Sequence, residues 1–130
     1  MADWCKEPAP ARLAEAIELF NRGLYFEQHE VIEGLWRDER RPVRALYQGI
    51  LQIGVAFHHL RRRNHHGTVY MLTRGSAYLR PFAPVCQGVD VETLLHAAAR
   101  ALAEVERLGP LRLHEFDWSL APRVALNTHL

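Results

Sequence analysis

Residues 45–57, ALYQGILQIGVAF, carry only two polar side chains, Gln48 and Gln52. A helix that is apolar on nearly every side belongs at the centre of a helical protein, with neighbours on its flanks. The run is too short to cross a bilayer, and no other apolar run approaches that length, so no membrane partner is expected. Pro42 suits the first turn of this helix, and Arg61, Arg62 and Arg63 suit its end, where positive charge complements the dipole. Spanning about residues 42–63, it would be about 33 Å long. With 130 residues, 48% of them hydrophobic, the chain can bury a core without staples.

Four more helices follow from periodicity and punctuation. The first runs from about Pro10 to Arg22, with Leu13, Ala16, Ile17, Phe20 and Leu24 on one stripe and Gly23 as its stop. The second runs from about Tyr25 to Glu39. The fourth, about Thr68 to Leu79, places Val69, Leu72, Ser76 and Leu79 on one face, and Pro81 and Pro84 then break the chain. The fifth runs from Asp90, a good N-cap, to Leu108, ahead of Gly109 and Pro110. Asn64 reads as the left-handed C-cap of the central helix. The tail, 110–130, has no period; Phe116, Trp118 and Leu120 are placed to dock it across the bundle in extended form. No strand is expected. The fold class is therefore all-α, a single-domain bundle of about five helices over residues 1–130 with an irregular C-terminal tail.

Charge and cysteine usage narrow the function classes. Lys and Arg number 16 against 15 Asp and Glu, a net charge of +1. The arginine clusters at 37–44 and 61–63 sit at opposite ends of the central helix and form no single stripe, so nucleic acid is not expected as a partner. Cys5 and Cys86 form no C-x-x-C pair and read as two reduced thiols, not bonded to each other. The N-terminal stretch has acids and prolines where a signal peptide needs a basic and then an apolar run, which predicts a cytoplasmic protein. Neither Ser76 nor Ser119 sits in a G-x-S-x-G elbow, which argues against a serine hydrolase.

The chemistry concentrates in HEVIEGLW. His29 and Glu33, four apart, share one helical face, and Trp36 lies on the next turn. On the central helix Gln48, Gln52, Val55 and His59 recur at i, i+4, i+7 and i+11. A short connection makes the second and third helices antiparallel neighbours. That pairing predicts His29 near His59, Glu33 near Val55 or Gln52, and Trp36 near Gln52 or Gln48. Glu33 is expected mostly out of bulk water, bonded to a histidine and a glutamine.

FNRGLYFEQHEVIEGLWR followed by QGILQIGVAFHHLRRRNHHG resembles the domain-of-unknown-function family 309 over about residues 15–80. Its H-x-x-x-E-x-x-W motif is matched by His29, Glu33 and Trp36, and its second stretch by Gln48, Gln52, His59, Asn64 and Gly67. The resemblance implies a small all-helical domain with no established activity and, by analogy alone, a metalloprotease-like role. The fifth helix, about 90–108, and the tail fall outside it.

Three function classes remain. In the first, the cluster is structural, a fully satisfied polar network that fixes helix register. In the second it binds a small ligand or protein partner, with Trp36 and Tyr47 as walls, and needs no cofactor. The alternative is a metal-dependent hydrolase with His29, Glu33 and His59 as ligands of zinc, manganese or iron, and Glu30 as base. Val31 and Leu35 point away from Glu33, toward the tail or a second copy of the chain.

Overall fold

The apolar run folds as predicted into the helix around which the rest is arranged. The computed structural model describes residues 3–127. It contains α1 (Ala11–Asn21), α2 (Tyr25–Asp38), α3 (Arg44–Arg61), α4 (His65–Leu79) and α5 (Val91–Leu108), and is all-α apart from one small ribbon. In α3, Leu46, Tyr47, Ile50, Ile53, Ala56 and Phe57 are wholly buried. Consecutive helices are neighbours: α2 and α4 flank α3, α1 packs on α2, and α5 packs on α4.

Side-chain contacts fix the directions. Gln28, early in α2, meets Leu51 and Gly54 of α3, whereas Trp36, late in α2, meets Gln48. The two helices are therefore antiparallel, as their short connection requires. On the other flank α3 and α4 approach until backbones touch. A Cβ on Gly49 would lie 2.7 Å from the Leu79 side chain and 3.1 Å from the Gly75 carbonyl oxygen, so only glycine admits this approach.

Helix ends follow the punctuation, with one correction. Gly23 and Gly109 take φ of 75° and 71°, and Asp90 caps α5 through its bond from Thr93 N. Asn64 does not close α3. Arg63 takes the left-handed conformation there, with φ 58°, and Asn64 caps α4 instead. Its Oδ1 accepts from Gly67 N at 2.9 Å, which starts α4 at His65, earlier than expected.

Between α4 and α5 the chain makes a 3-10 turn (Arg80–Phe82) and a two-stranded antiparallel ribbon, β1 (Val85–Cys86) with β2 (Val89–Asp90). No strand was expected; two-residue strands are too short to leave a period in the sequence. A 3-10 turn at Asp3–Lys6 folds back onto this ribbon, and Cys5 and Cys86 are joined as a disulfide. This corrects the expectation of two separate thiols. The cysteines are 81 residues apart in sequence, yet the fold brings their Cα atoms to 4.5 Å. The wholly buried Gln87 completes the clasp: its N–H donates to Cys5 O, its Nε2 to Trp4 O, and its Oε1 accepts from the Tyr47 hydroxyl at 2.8 Å.

The tail docks, as its aromatics predict, but not in extended form: it makes 3-10 turns at Leu113–Glu115 and Trp118–Leu120, too short to leave a period in the sequence. Phe116 and Trp118 pack against Phe57 of α3 with tilted and edge-on rings. Asn21 exchanges two hydrogen bonds with Val124, and Leu126 bridges Val89. Of the expected tail, residues 128–130 lie outside the described residues. No helix among the described residues is long and apolar enough to cross a membrane.

Candidate binding cleft between α2 and α3

Helical spacing sets His29, Glu33 and Trp36 along the edge of α2 that faces α3. His29 and Glu33 are about a third exposed, at 36% and 37% of their side chains, and His29 Nε2 stands 3.5 Å from Glu33 Oε2. The other carboxylate oxygen accepts from Arg37 Nη2 at 2.9 Å, one further turn along the same edge. Glu33 is thus at the margin of the seam. Its partners are a histidine and an arginine of its own helix, and no glutamine bonds it, contrary to the sequence expectation. The arginine at i+4 explains the difference, because it supplies the charge that a buried carboxylate would have needed from α3.

Trp36 does reach across. Its Nε1 donates to Gln48 Oε1 at 3.0 Å, and the Arg44 guanidinium lies 4.8 Å from its ring centroid. Gln52 lies deeper, 7% exposed, and its Oε1 is buried with no donor from the described residues. His29, Glu33, Trp36, Gln48, Leu51 and Gln52 together line an open cleft of about 170 Å³. A second cleft of the same volume, lined by Tyr25, Phe26, His29, Val55 and His58, shares His29. The seam therefore carries a polar half and an apolar half with one histidine between them. Phe26, at 55% exposure, forms part of the rim.

Two expected members lie elsewhere. His59 does not meet His29; its Nδ1 is 3.4 Å from Asn64 Nδ2, and its ring lies against Gly67 at the α3–α4 turn. Burial, then the neighbouring charges of His58 and Arg62, push its pKa below the usual histidine value. Among the described residues no three His, Cys, Asp or Glu side chains converge into a group able to hold a metal ion. Tyr47 is likewise no wall of the cleft, being buried on Gln87.

The histidine that faces His29 across the seam is His58. Sequence reasoning missed it by choosing the stripe 48-52-55-59; of these Gln48, Gln52 and Val55 do line the seam, but Leu51 joins them and His58 takes the place of His59. One residue, about 100° around the helix, separates the two histidines. Val31 also has a neighbour the sequence did not name: it lines a groove against Arg12, Glu15 and Leu19 of α1.

No curated protein matches the chain. The model of a domain of unknown function, DUF309, matches residues 13–71, from the first turn of α1 to the middle of α4, a segment that contains every residue of the cleft.

Proposed function

We propose that the α2–α3 seam binds a small ligand or a single side chain of a protein partner. Trp36 and Leu51 would wall the polar half, Glu33 and Gln52 would supply its polar contacts, and Phe26, Val55 and His58 would receive an apolar extension. The observation that carries this reading is the openness of the site. A cluster that only stitched the bundle would be sealed and satisfied, whereas His29 and Glu33 stand partly exposed at the mouth of a cleft and Gln52 Oε1 lacks a donor beneath them. The volume restricts the occupant. Each half, at about 170 Å³, falls short of the roughly 300–1,000 Å³ of drug-sized pockets.

The test is a small-fragment screen by NMR on nitrogen-15-labelled protein, reading the Trp36 indole N–H and the Gln52 side-chain amide. The expected outcome is a set of fragments that shifts both signals together and loses this effect in Glu33→Gln; in Trp36→Leu, where the Gln52 amide is the remaining reporter, that signal should no longer shift. Fragments that shift only residues elsewhere, such as Ser76 and His96 between α4 and α5, would rule the reading out. The metal-dependent hydrolase alternative requires His59 to leave Gly67 and turn toward the seam. It would be favoured by a rise in melting temperature with stoichiometric zinc, manganese or iron in the wild type and not in Glu33→Gln.

A further inference from the structure

A second surface, on the outer side of α4, has a different chemistry. Arg74 stands between two tyrosines one turn away on either side. Its Nη1 donates to the Tyr70 hydroxyl at 2.7 Å, and its Nη2 makes a longer bond of 3.4 Å to the Tyr78 hydroxyl. Its Cζ lies 5.7 and 5.8 Å from the two ring centroids. His66 extends the row by another turn, 6.3 Å from the Tyr70 ring and nearly perpendicular to it. The four residues recur at i, i+4, i+8 and i+12, which lays them along one face over about 18 Å. Tyr70 is 40% exposed, and His66 and Arg74 are exposed.

The helix itself carries no acidic residue, and the carboxylate on the cleft beside it is Glu92 of α5, which lines that cleft with Thr73, Ser76 and Arg80. From Glu39 to Asp90 the sequence contains no Asp or Glu, while eight arginines fall in the same stretch. The arginines that pair with carboxylates among the described residues are Arg37, Arg41, Arg107 and Arg112, all outside α3 and α4. Arg74 is instead held in place by neutral hydroxyls, so its charge is positioned but not neutralised. Arg62 and Arg63 are exposed before the row begins and Arg80 is exposed after it ends. These exposed arginines extend the positive charge of the row beyond each end of α4.

An acidic peptide would satisfy the charge of this surface but not its rings. Bases in single strands, with their faces free, stack on aromatic side chains while arginines take the phosphates. We propose that the outer face of α4 binds single-stranded nucleic acid, with Arg74 on a phosphate and Tyr70, Tyr78 and His66 against successive bases. This surface is separate from the α2–α3 cleft and does not depend on the reading of that cleft.

The test is fluorescence anisotropy with labelled oligouridylate and oligothymidylate of about 12 nucleotides, at about 50 mM and about 200 mM salt. Heparin serves as a polyanion without bases, and anionic phospholipid vesicles as a membrane control. The expected result is binding of the oligonucleotides that weakens with salt. Arg74→Gln should weaken it about tenfold and Tyr70→Leu or Tyr78→Leu about fivefold or more. Arg112→Gln, on the tail, should leave it unchanged. The tyrosine variants should bind heparin as the wild type does. Circular dichroism checks that each variant is folded. The proposal is overturned if the oligonucleotides do not bind at low salt, if the tyrosine variants bind them as tightly as the wild type, or if only the vesicles bind.

Discussion

The side-chain amide of Gln28, from α2, fills the space that a side chain at residue 54 of α3 would need. Gln28 is wholly buried, its Nε2 donates to Leu51 O at 3.3 Å, and a Cβ built on Gly54 would lie 2.8 Å from its Cδ. A polar residue on the apolar stripe of one helix is thus accommodated by a missing side chain on the next.

Gly54→Ala should therefore destabilise the protein. In an open helix the change would gain about 1 kcal/mol from helix propensity. Here overpacking, at about 1–3 kcal/mol, opposes and exceeds it, because the amide that must shift is wholly buried and would leave its bond to Leu51 O. Urea denaturation should show a lower midpoint for Gly54→Ala and a smaller loss when it is made on a Gln28→Ala background. Equal losses in the two backgrounds would show that the contact is not limiting.

Reducing the Cys5–Cys86 bond should lower stability substantially. It closes a loop of 81 residues, for which chain-entropy reasoning gives about 4.5 kcal/mol. Cys5→Ser and Cys86→Ser should each melt lower than the oxidised wild type and close to the reduced wild type. Identical melting temperatures with and without reductant would contradict the pairing.

Tyr47→Phe should cost more than the loss of one hydroxyl suggests. It leaves Gln87 Oε1 buried without its donor, a penalty of about 1–3 kcal/mol. Tyr47→Phe with Gln87→Leu removes both partners and should recover part of the loss. Chemical denaturation of the three variants against the wild type measures the coupling directly.

Stability should fall on mild acidification, and His59 should account for part of the fall. Its folded pKa lies below the ordinary 6.5, so the unfolded chain binds the proton more tightly. The contribution is complete above 6.5 and declines as pH drops through that value toward the lowered one. Protonation would also remove Nδ1 as an acceptor facing Asn64. The lowered carboxylates Glu39 and Asp90 lose their contributions only at more acidic pH. Between about pH 7.5 and about pH 5.5 the melting temperature of His59→Gln should drop less than that of the wild type. Equal drops would assign the dependence to other groups.

The helices were legible because each carries its own period and stop signals. Phe20 followed by Gly23, and Asp90 ahead of the Leu94–Ala98 stripe, are local statements that tertiary contacts had only to accept. What was not legible depends on contacts distant in sequence. Nothing near Cys5 announces Cys86, and nothing near Gln87 announces Tyr47. In Asn-His-His-Gly, asparagine serves equally well after one helix or before the next, and only the conformation of Arg63 decides. At the cleft, α2 could be placed from its three-residue motif. The facing residues of α3 could be placed only in part, because an almost uniformly apolar helix gives little phase information, and His58 and His59 are adjacent. Gln28 did leave a signal, as a polar residue between Tyr25 and Ile32 on the buried stripe. Its glycine partner sits 26 positions further along.

Both described ends of the chain are anchored at the same ribbon, Cys5 through its bond to Cys86 and Leu126 through its bridge to Val89. Stretched between its ends, the oxidised protein would carry the load through that ribbon. Residues 5–86, which include α1 to α4, lie inside a covalent loop and would bear no tension. Only the segment beyond Cys86 is free to extend, roughly 140 Å at about 3.5 Å per residue, or about a third of the contour the reduced chain would release. The helices that build the cleft and the tyrosine row are thereby shielded from pulling forces for as long as one sulfur–sulfur bond holds.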